Sequence, residues 1–412
     1  MRWMTGCLFA SVLAWVPDAV CELRGQPHPQ VAIGDVRHIK VCYSKNTFCG
    51  WPRQCGIANF GNGEIVLLHH HAPSSYKTSQ DIGHEAVHAR SVVLLQRSLD
   101  NGETWGDDNE VVVWRSDATK EERDKLLFHG KPVARLDMSK PGAMFYFHST
   151  AHGGFEEKLF KVFVLRSIDK GLTWDTPIAT LALPSWTARG GLKDNHPPVH
   201  LGDGSWLVAA TVDDEVCIYR SRADGASWEY LAKMAPRPAA GRYTYAGLIL
   251  LPDGTVQGYT LHIQQPGSDK AVRGLVNAIC MTESRDGGRA WGPLRPIVHP
   301  GGDSVWGPTS GAGGGTYFYR SPWPIRLRDG KILVLFARRQ PPYGIGVVVS
   351  SDGGKTWSDE FALRKDGVCW DLGYPVATQL DDGRVFTAYY YTSEGSYSDA
   401  VRFIAGTFFR VN

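Results

Sequence analysis

The sequence predicts an all-β protein, a six-bladed β-propeller of four-stranded antiparallel blades, and three observations carry that expectation. The first is an eight-residue box that recurs five times: "SLDNGETW" from Ser98, "SIDKGLTW" from Ser167, "SRADGASW" from Ser221, "SRDGGRAW" from Ser284 and "SSDGGKTW" from Ser350. The second is the spacing of the boxes, 69, 54, 63 and 66 residues, which suits four strands and their loops per unit. The third is an apolar hairpin that precedes each box, with a sixth copy from Tyr374 that no box follows. Six hairpins imply six blades, and a ring of blades leaves only short strand edges.

Taken in order, the hairpins read "CGIANFGNGEIVLLHHH" from Cys55, "PVARLDMSKPGAMFYFHS" from Pro132, "PVHLGDGSWLVAATV" from Pro198, "YAGLILLPDGTVQGYTLH" from Tyr245, "PIRLRDGKILVLFARR" from Pro324 and "YPVATQLDDGRVFTAYYY" from Tyr374. Asn-Gly and Asp-Gly turns supply the positive φ that a tight hairpin needs, and β-branched and aromatic flanks suit strands. The sixth unit needs one more strand, and "HIKVCYS" at 38–44 is the candidate it borrows from near the N-terminus. Within each box the Asp carboxylate accepts the turn's own N–H groups, the glycine takes the left-handed conformation and the Trp packs between strands. The box is therefore structural; Gly354-Lys355-Thr356 in the fifth copy lacks the glycine five residues earlier that a phosphate loop needs, where Val349 stands, and the other copies have no Gly-Lys-Ser/Thr, so a phosphate-loop reading is weak.

Composition bounds the function. The chain has 412 residues, 43% of them apolar, with 46 glycines and 24 prolines, as an all-β fold with many turns requires. Lys plus Arg is 44 against 42 for Asp plus Glu, with no basic run or aromatic-basic stripe, so nucleic acid is not expected as a partner. Arg2 precedes an apolar stretch ending at Pro17, which reads as a signal peptide over 1–21, with one propeller domain over 22–412 and a secreted or periplasmic location. No later segment is long enough to span a membrane. Cys42, Cys49 and Cys55 fall close together, so an oxidising compartment would allow a local disulfide.

The S-x-D-x-G-x-T-W box, in this number and spacing, resembles the bacterial neuraminidase repeat, and the chain after residue 38 resembles the six-bladed sialidase superfamily. That resemblance implies a carbohydrate-cleaving site on the face opposite the boxes, where the chain enters each innermost strand. Those entries supply Trp51, Arg53, His129, His196, Arg242, Tyr245, Arg320, Trp323, Asp371 and Tyr374. By resemblance Tyr374 is the nucleophile, Arg320 an arginine for the substrate carboxylate, and the acid comes from the loop 72–90, where Asp81 fits the family position. His84 and Glu85 are further titratable choices in that loop, and His196 stands before a proline at the pocket mouth. Two departures are plain: Gly50-Trp51-Pro52 replaces the Arg-Ile-Pro signature, with Arg53 just beyond it, and Tyr245 stands where a glutamate is expected.

The resemblance implies a glycoside hydrolase acting on an acidic or deoxy sugar, with Arg53, Arg242 and Arg320 holding the anionic group and no cofactor or metal. The residues also leave open a uronate-specific lyase, which needs Arg, His and Tyr, and a carbohydrate-binding propeller without catalysis. "HEAVH" at 84–88 matches a zinc motif, but the motif requires a helix and the segment runs on into strand-like sequence. His69, His70 and His71 end one strand opposite His84 and His88, so a histidine cluster across that hairpin is a further option. Trp51, Trp323 and Trp370 are candidate platforms for sugar faces or interblade filler.

Overall fold

The computed structural model describes residues 31–52, 56–119, 121–122, 135–149, 162–175, 178–179, 190–191, 196–222, 224–238, 241–263, 277–298 and 319–412. Antiparallel sheets follow one another along the chain as blades. Blade 4 shows the unit most simply: Arg242–Leu250, Val256–Ile263, Asn277–Ser284 and Arg295–Val298 pair in sequence order. Blade 5 repeats it with Tyr319–Arg326, Ile332–Arg338, Tyr343–Ser350 and Phe361–Gly367. In blades 1 and 3 the innermost strand is split, into Thr47–Gly50 and Ile57–Gly61 in the first and Gly190–Gly191 and Val199–His200 in the third.

Blade 6 closes the ring as expected. Its three C-terminal strands, Gly373–Gln379, Val385–Tyr391 and Phe403–Val411, are completed by the N-terminal strand Ile33–Cys42, which pairs with the last of them. The borrowed strand starts five residues earlier than "HIKVCYS" and ends at Cys42. The count of complete blades corrects the expectation. Among the described residues five sheets carry the full complement of strands, and the blade 2 sheet carries three, Met144–Ser149, Val162–Ser167 and Ile178–Ala179. Residues 132–134 at the start of its expected innermost strand lie outside the described residues, and Arg135, Leu136 and Asp137 carry no strand.

The boxes do what their residues dictate. Each Trp donates its indole N–H to the box glycine carbonyl: Trp105 to Gly102, Trp174 to Gly171, Trp228 to Gly225, Trp291 to Gly288 and Trp357 to Gly354, at 2.8–3.1 Å. Gly354 at φ +87° shows why glycine is needed there. Three of these Trp rings reach the second strand of the preceding blade: Trp228 against Phe147, Trp357 against Tyr259 and Trp105 against Phe386. The Trp105–Phe386 contact joins the first blade to the last, so the box packs blades together as well as closing its own turn. Box and hairpin turns share one face, since Asn101 donates to the carbonyl of Gly63 and Lys170 to that of Gly142. Among the described residues no helix is long and apolar enough to cross a membrane.

Candidate active site

A repeated bulge builds the opposite face. In blades 4, 5 and 6 the innermost strand carries one extra residue against its neighbour, between Thr244 and Gly247, Arg320 and Trp323, and Gly373 and Val376. Each bulge contains a non-glycine residue in the left-handed region: Tyr245 at φ +57°, Ser321 at +43° and Tyr374 at +51°. Trp51, at the break in the first blade's innermost strand, has φ +52°. Such backbone costs of order 1–3 kcal/mol per residue and persists where surrounding structure fixes it, commonly at functional sites. Here it turns successive strands at one level and aims their side chains at a common space.

Two of those bulges bring together Tyr374 and Arg320. Arg320 donates to the Tyr374 hydroxyl oxygen from Nη2 at 3.0 Å and from Nε at 3.3 Å. Its guanidinium carbon also lies 4.5 Å from the Tyr245 ring centre, and the Tyr245 and Tyr374 rings meet edge-on at 5.9 Å. Tyr245 therefore supplies an aromatic wall and a cation–π partner at the position where a carboxylate was expected. Arg242 and Tyr243 are half-buried at the same strand entry, and Tyr243 faces His262 with ring centres 4.8 Å apart.

Behind Tyr374 lies a buried polar network that the sequence reading captured only in part. Asp371 is fully buried; its Oδ1 accepts from Tyr390 Oη at 2.7 Å and from His84 Nε2 at 3.1 Å, and its Oδ2 accepts from Arg402 Nε at 3.0 Å. Burial pushes its pKa up, but His84 and the Arg402 and Arg339 guanidinium groups outweigh that and hold it well below the usual carboxylate range. Arg339, also buried, donates to Tyr390 Oη at 2.8 Å and to the carbonyl of Leu372 at 2.9 Å. The Tyr390 ring stacks on Tyr374 at 5.8 Å, which couples the network to the Tyr374–Arg320 pair. Asp371, placed among substrate-binding residues by the sequence, is here a buried anchor. Arg339 and Arg402 were missed; their signal is that "FARR" ends one blade 5 strand and "VRF" enters one in blade 6, both on the face where other arginines were sought.

His84 is the half-exposed member of this network. It opens a six-residue helix, His84–Ala89, so "HEAVH" is helical after all, contrary to the strand-like reading. Its ring meets Trp51 edge-on at 5.0 Å, while His88 stacks on the same indole at 4.2 Å and meets His70 at 5.0 Å. Of the expected histidine cluster, His70, His84 and His88 gather around Trp51 with His84 turned toward Asp371, whereas His69 pairs with Gln96 and its ring meets His71 instead. Because ionised Asp371 only accepts, His84 Nε2 carries the proton and Nδ1 is the nitrogen that can exchange one.

Several expectations are corrected. Asp81 does not have the environment of a general acid: its Oδ2 accepts from Ser75 Oγ at 2.8 Å and from the Lys77 and Thr78 amides at 3.0 Å, which together hold its pKa below the usual range. These contacts tie Asp81 into its own loop. Glu85 is exposed on the helix. His196 is not at a pocket mouth; it is half-buried, donates Nε2–H to the Pro324 carbonyl at 2.7 Å and packs on Trp323 at 4.5 Å. Burial lowers its pKa to about 4. Trp323 is buried and donates to the Ala377 carbonyl, and Trp51 is 1% exposed, so both fill between blades. Trp370 is the tryptophan left half-exposed, stacked on Tyr397 at 5.2 Å. Arg53 and His129 lie outside the described residues. Beside the network a cavity of about 370 Å³ has aromatic walls, Tyr43, Tyr76 and Phe403, and charges from Lys45, Glu394 and Asp399.

Comparison with known proteins agrees with this fold. The BNR repeat-like domain matches residues 88–402. No curated protein matches the sequence. Among solved structures, a protein of unknown function from Dyadobacter fermentans superposes with a TM-score of 0.65 at 20% identity, covering 93% of this chain and 100% of its own. The NanB sialidase of Streptococcus pneumoniae gives 0.55 at 12% identity, covering 90% of this chain and 70% of its own. The Trypanosoma rangeli sialidase gives 0.53 at 12% identity, covering 92% of this chain and 60% of its own. The resemblance to sialidase propellers therefore holds at the level of fold.

Proposed function

The chain belongs to the BNR repeat-like domain family, and from that premise we propose that it is a sialidase-like glycoside hydrolase that cleaves the glycosidic bond of an acidic sugar. The observation that carries the reading is the pair of hydrogen bonds from Arg320 to the Tyr374 hydroxyl oxygen, at 3.0 and 3.3 Å. A guanidinium donating twice to a phenolic oxygen stabilises negative charge on it, which is what a tyrosine nucleophile needs. Arg320, Arg339 and Arg402 set three positive charges against the one carboxylate of Asp371, and that excess favours an anionic ring.

In this mechanism Tyr374 reacts as the phenolate held by Arg320: its Oη attacks the anomeric carbon as imidazolium His84 Nδ1–H protonates the leaving oxygen, and the bond from the anomeric carbon to that oxygen breaks. The glycosyl group passes to Tyr374, and water then releases it with His84 Nδ1 taking the proton. Asp371 holds the imidazole in the required tautomer and offsets its charge. The apolar stretch ending at Pro17 supports export of the enzyme to such a substrate.

One observation favours a second reading. Tyr245 occupies the place of the carboxylate that would assist Tyr374, and a Tyr, His and Arg set suits β-elimination from a uronate, with Arg320 neutralising the carboxylate. The deciding experiment incubates the protein with sialylated, uronate-containing and neutral glycans and analyses the products by mass and ultraviolet absorbance. A saturated product that has gained one water supports the hydrolase. An unsaturated product moves the assignment to the lyase, and binding without any product favours a lectin.

A further inference from the structure

A second cluster of reactive side chains lies where the ring closes. Cys49 and His71 are paired residues of adjacent antiparallel strands in blade 1, so their side chains share one face of that sheet. Cys42 is the last residue of the N-terminal strand that completes blade 6, and its Sγ lies 2.9 Å from Cys49 Sγ. The two sulfurs and a His71 ring nitrogen all fall within 4.8 Å of one another. Cys42 and His71 are half-buried, so an ion can reach them, whereas Cys49 is buried.

From this convergence we infer that Cys42, Cys49 and His71 form a zinc-binding site that clasps the N-terminal strand of blade 6 to the inner strand of blade 1. Two thiolates and an imidazole suit a borderline-soft d¹⁰ cation, and a fourth position is left for water. With Zn–S near 2.3 Å and Zn–N near 2.0–2.1 Å, tetrahedral ligands stand about 3.5–3.8 Å apart. The thiols therefore separate by under about 1 Å and the imidazole closes by about 1 Å, shifts that side-chain torsions absorb. The clasp has a route to the catalytic network, because the Cys49 amide donates to the Arg402 carbonyl at 3.1 Å and Trp51 follows two residues later. It stands independently of the proposed hydrolase.

The test uses the full chain, reduced, stripped with a chelator and titrated with Zn²⁺ against a chromophoric chelator. One equivalent is expected, bound at least about 100-fold more weakly by Cys42→Ser and by His71→Gln. Zinc should also raise the melting temperature of the parent chain more than that of either variant. Cobalt loading of the unsubstituted protein gives a readout that needs no variant, thiolate-to-cobalt absorption in the near ultraviolet. The inference is overturned by failure to retain zinc, by zinc affinity that both substitutions leave unchanged, or by recovery of a Cys42–Cys49 disulfide from protein purified without reductant.

Discussion

Arg320 and Tyr374 come from the innermost strands of neighbouring blades, and each flanks or occupies the extra residue of its own bulge. Without those bulges the side-chain alternation of both strands would reverse, and the two hydrogen bonds at 3.0 and 3.3 Å could not form. Arg320→Lys replaces two directed donors with one mobile ammonium. We expect kcat to fall by about 10²-fold or more with little change in melting temperature, because the side chain is half-exposed. Kinetics on the substrate that the glycan panel identifies, alongside a thermal melt, check this.

Asp81→Asn separates loop support from acid catalysis. The carboxylate secures the turn at Ser75, Lys77 and Thr78, so the variant should melt at a lower temperature while kcat stays within about threefold of the parent. A general acid would instead cost about 10²–10⁴-fold, with a shifted pH profile.

The contrast between Asp81 and Arg320 marks how far the sequence could be read. Blades, boxes, the borrowed strand and the face of the site follow from local chemistry: turn residues, alternation and a repeat period. The placement of Arg320 and Tyr374 on that face was legible because each sits at the entry of a repeated unit. Asp371 was named without its role, since Arg402 lies 31 residues away across the same blade and His84, 287 residues away in blade 1, reaches it only when the ring closes. The loop contacts of Asp81, to amides three and four residues before it, were not legible in the sequence. Trp51 and Trp323 misled because blade packing, invisible in one strand, buries them.

Acid should unfold the protein through its desolvated histidines. His69 is buried and His196 half-buried, and desolvation lowers both pKa values to about 4 from 6.5, so the unfolded chain binds more protons between those values. Stability is therefore complete above about pH 6.5 and is lost as pH falls toward 4, by up to about 3 kcal/mol for each histidine. Asp371, with its pKa depressed, withdraws its contribution only at lower pH, as the medium passes below the ordinary carboxylate value. Urea unfolding from neutral pH to about pH 4.5 checks this, and His196→Gln should flatten the slope.

Trp51→Phe should uncouple the histidine cluster from the site. The indole packs on His88, His84 and Phe48, so a smaller ring leaves a cavity, costs about 1–3 kcal/mol and loosens the half-exposed imidazole. We expect a reduced kcat with KM nearly unchanged, read from initial rates at temperatures well below the melt.

Tyr374→Phe tests the central claim most directly. The substitution removes one oxygen and leaves the ring stacked on Tyr390 and beside Tyr245. Turnover and binding should be measured together on the same glycan. The account predicts that turnover falls by at least about 10³-fold while binding and melting temperature hold. A variant that turns over within a few-fold of the parent would contradict it.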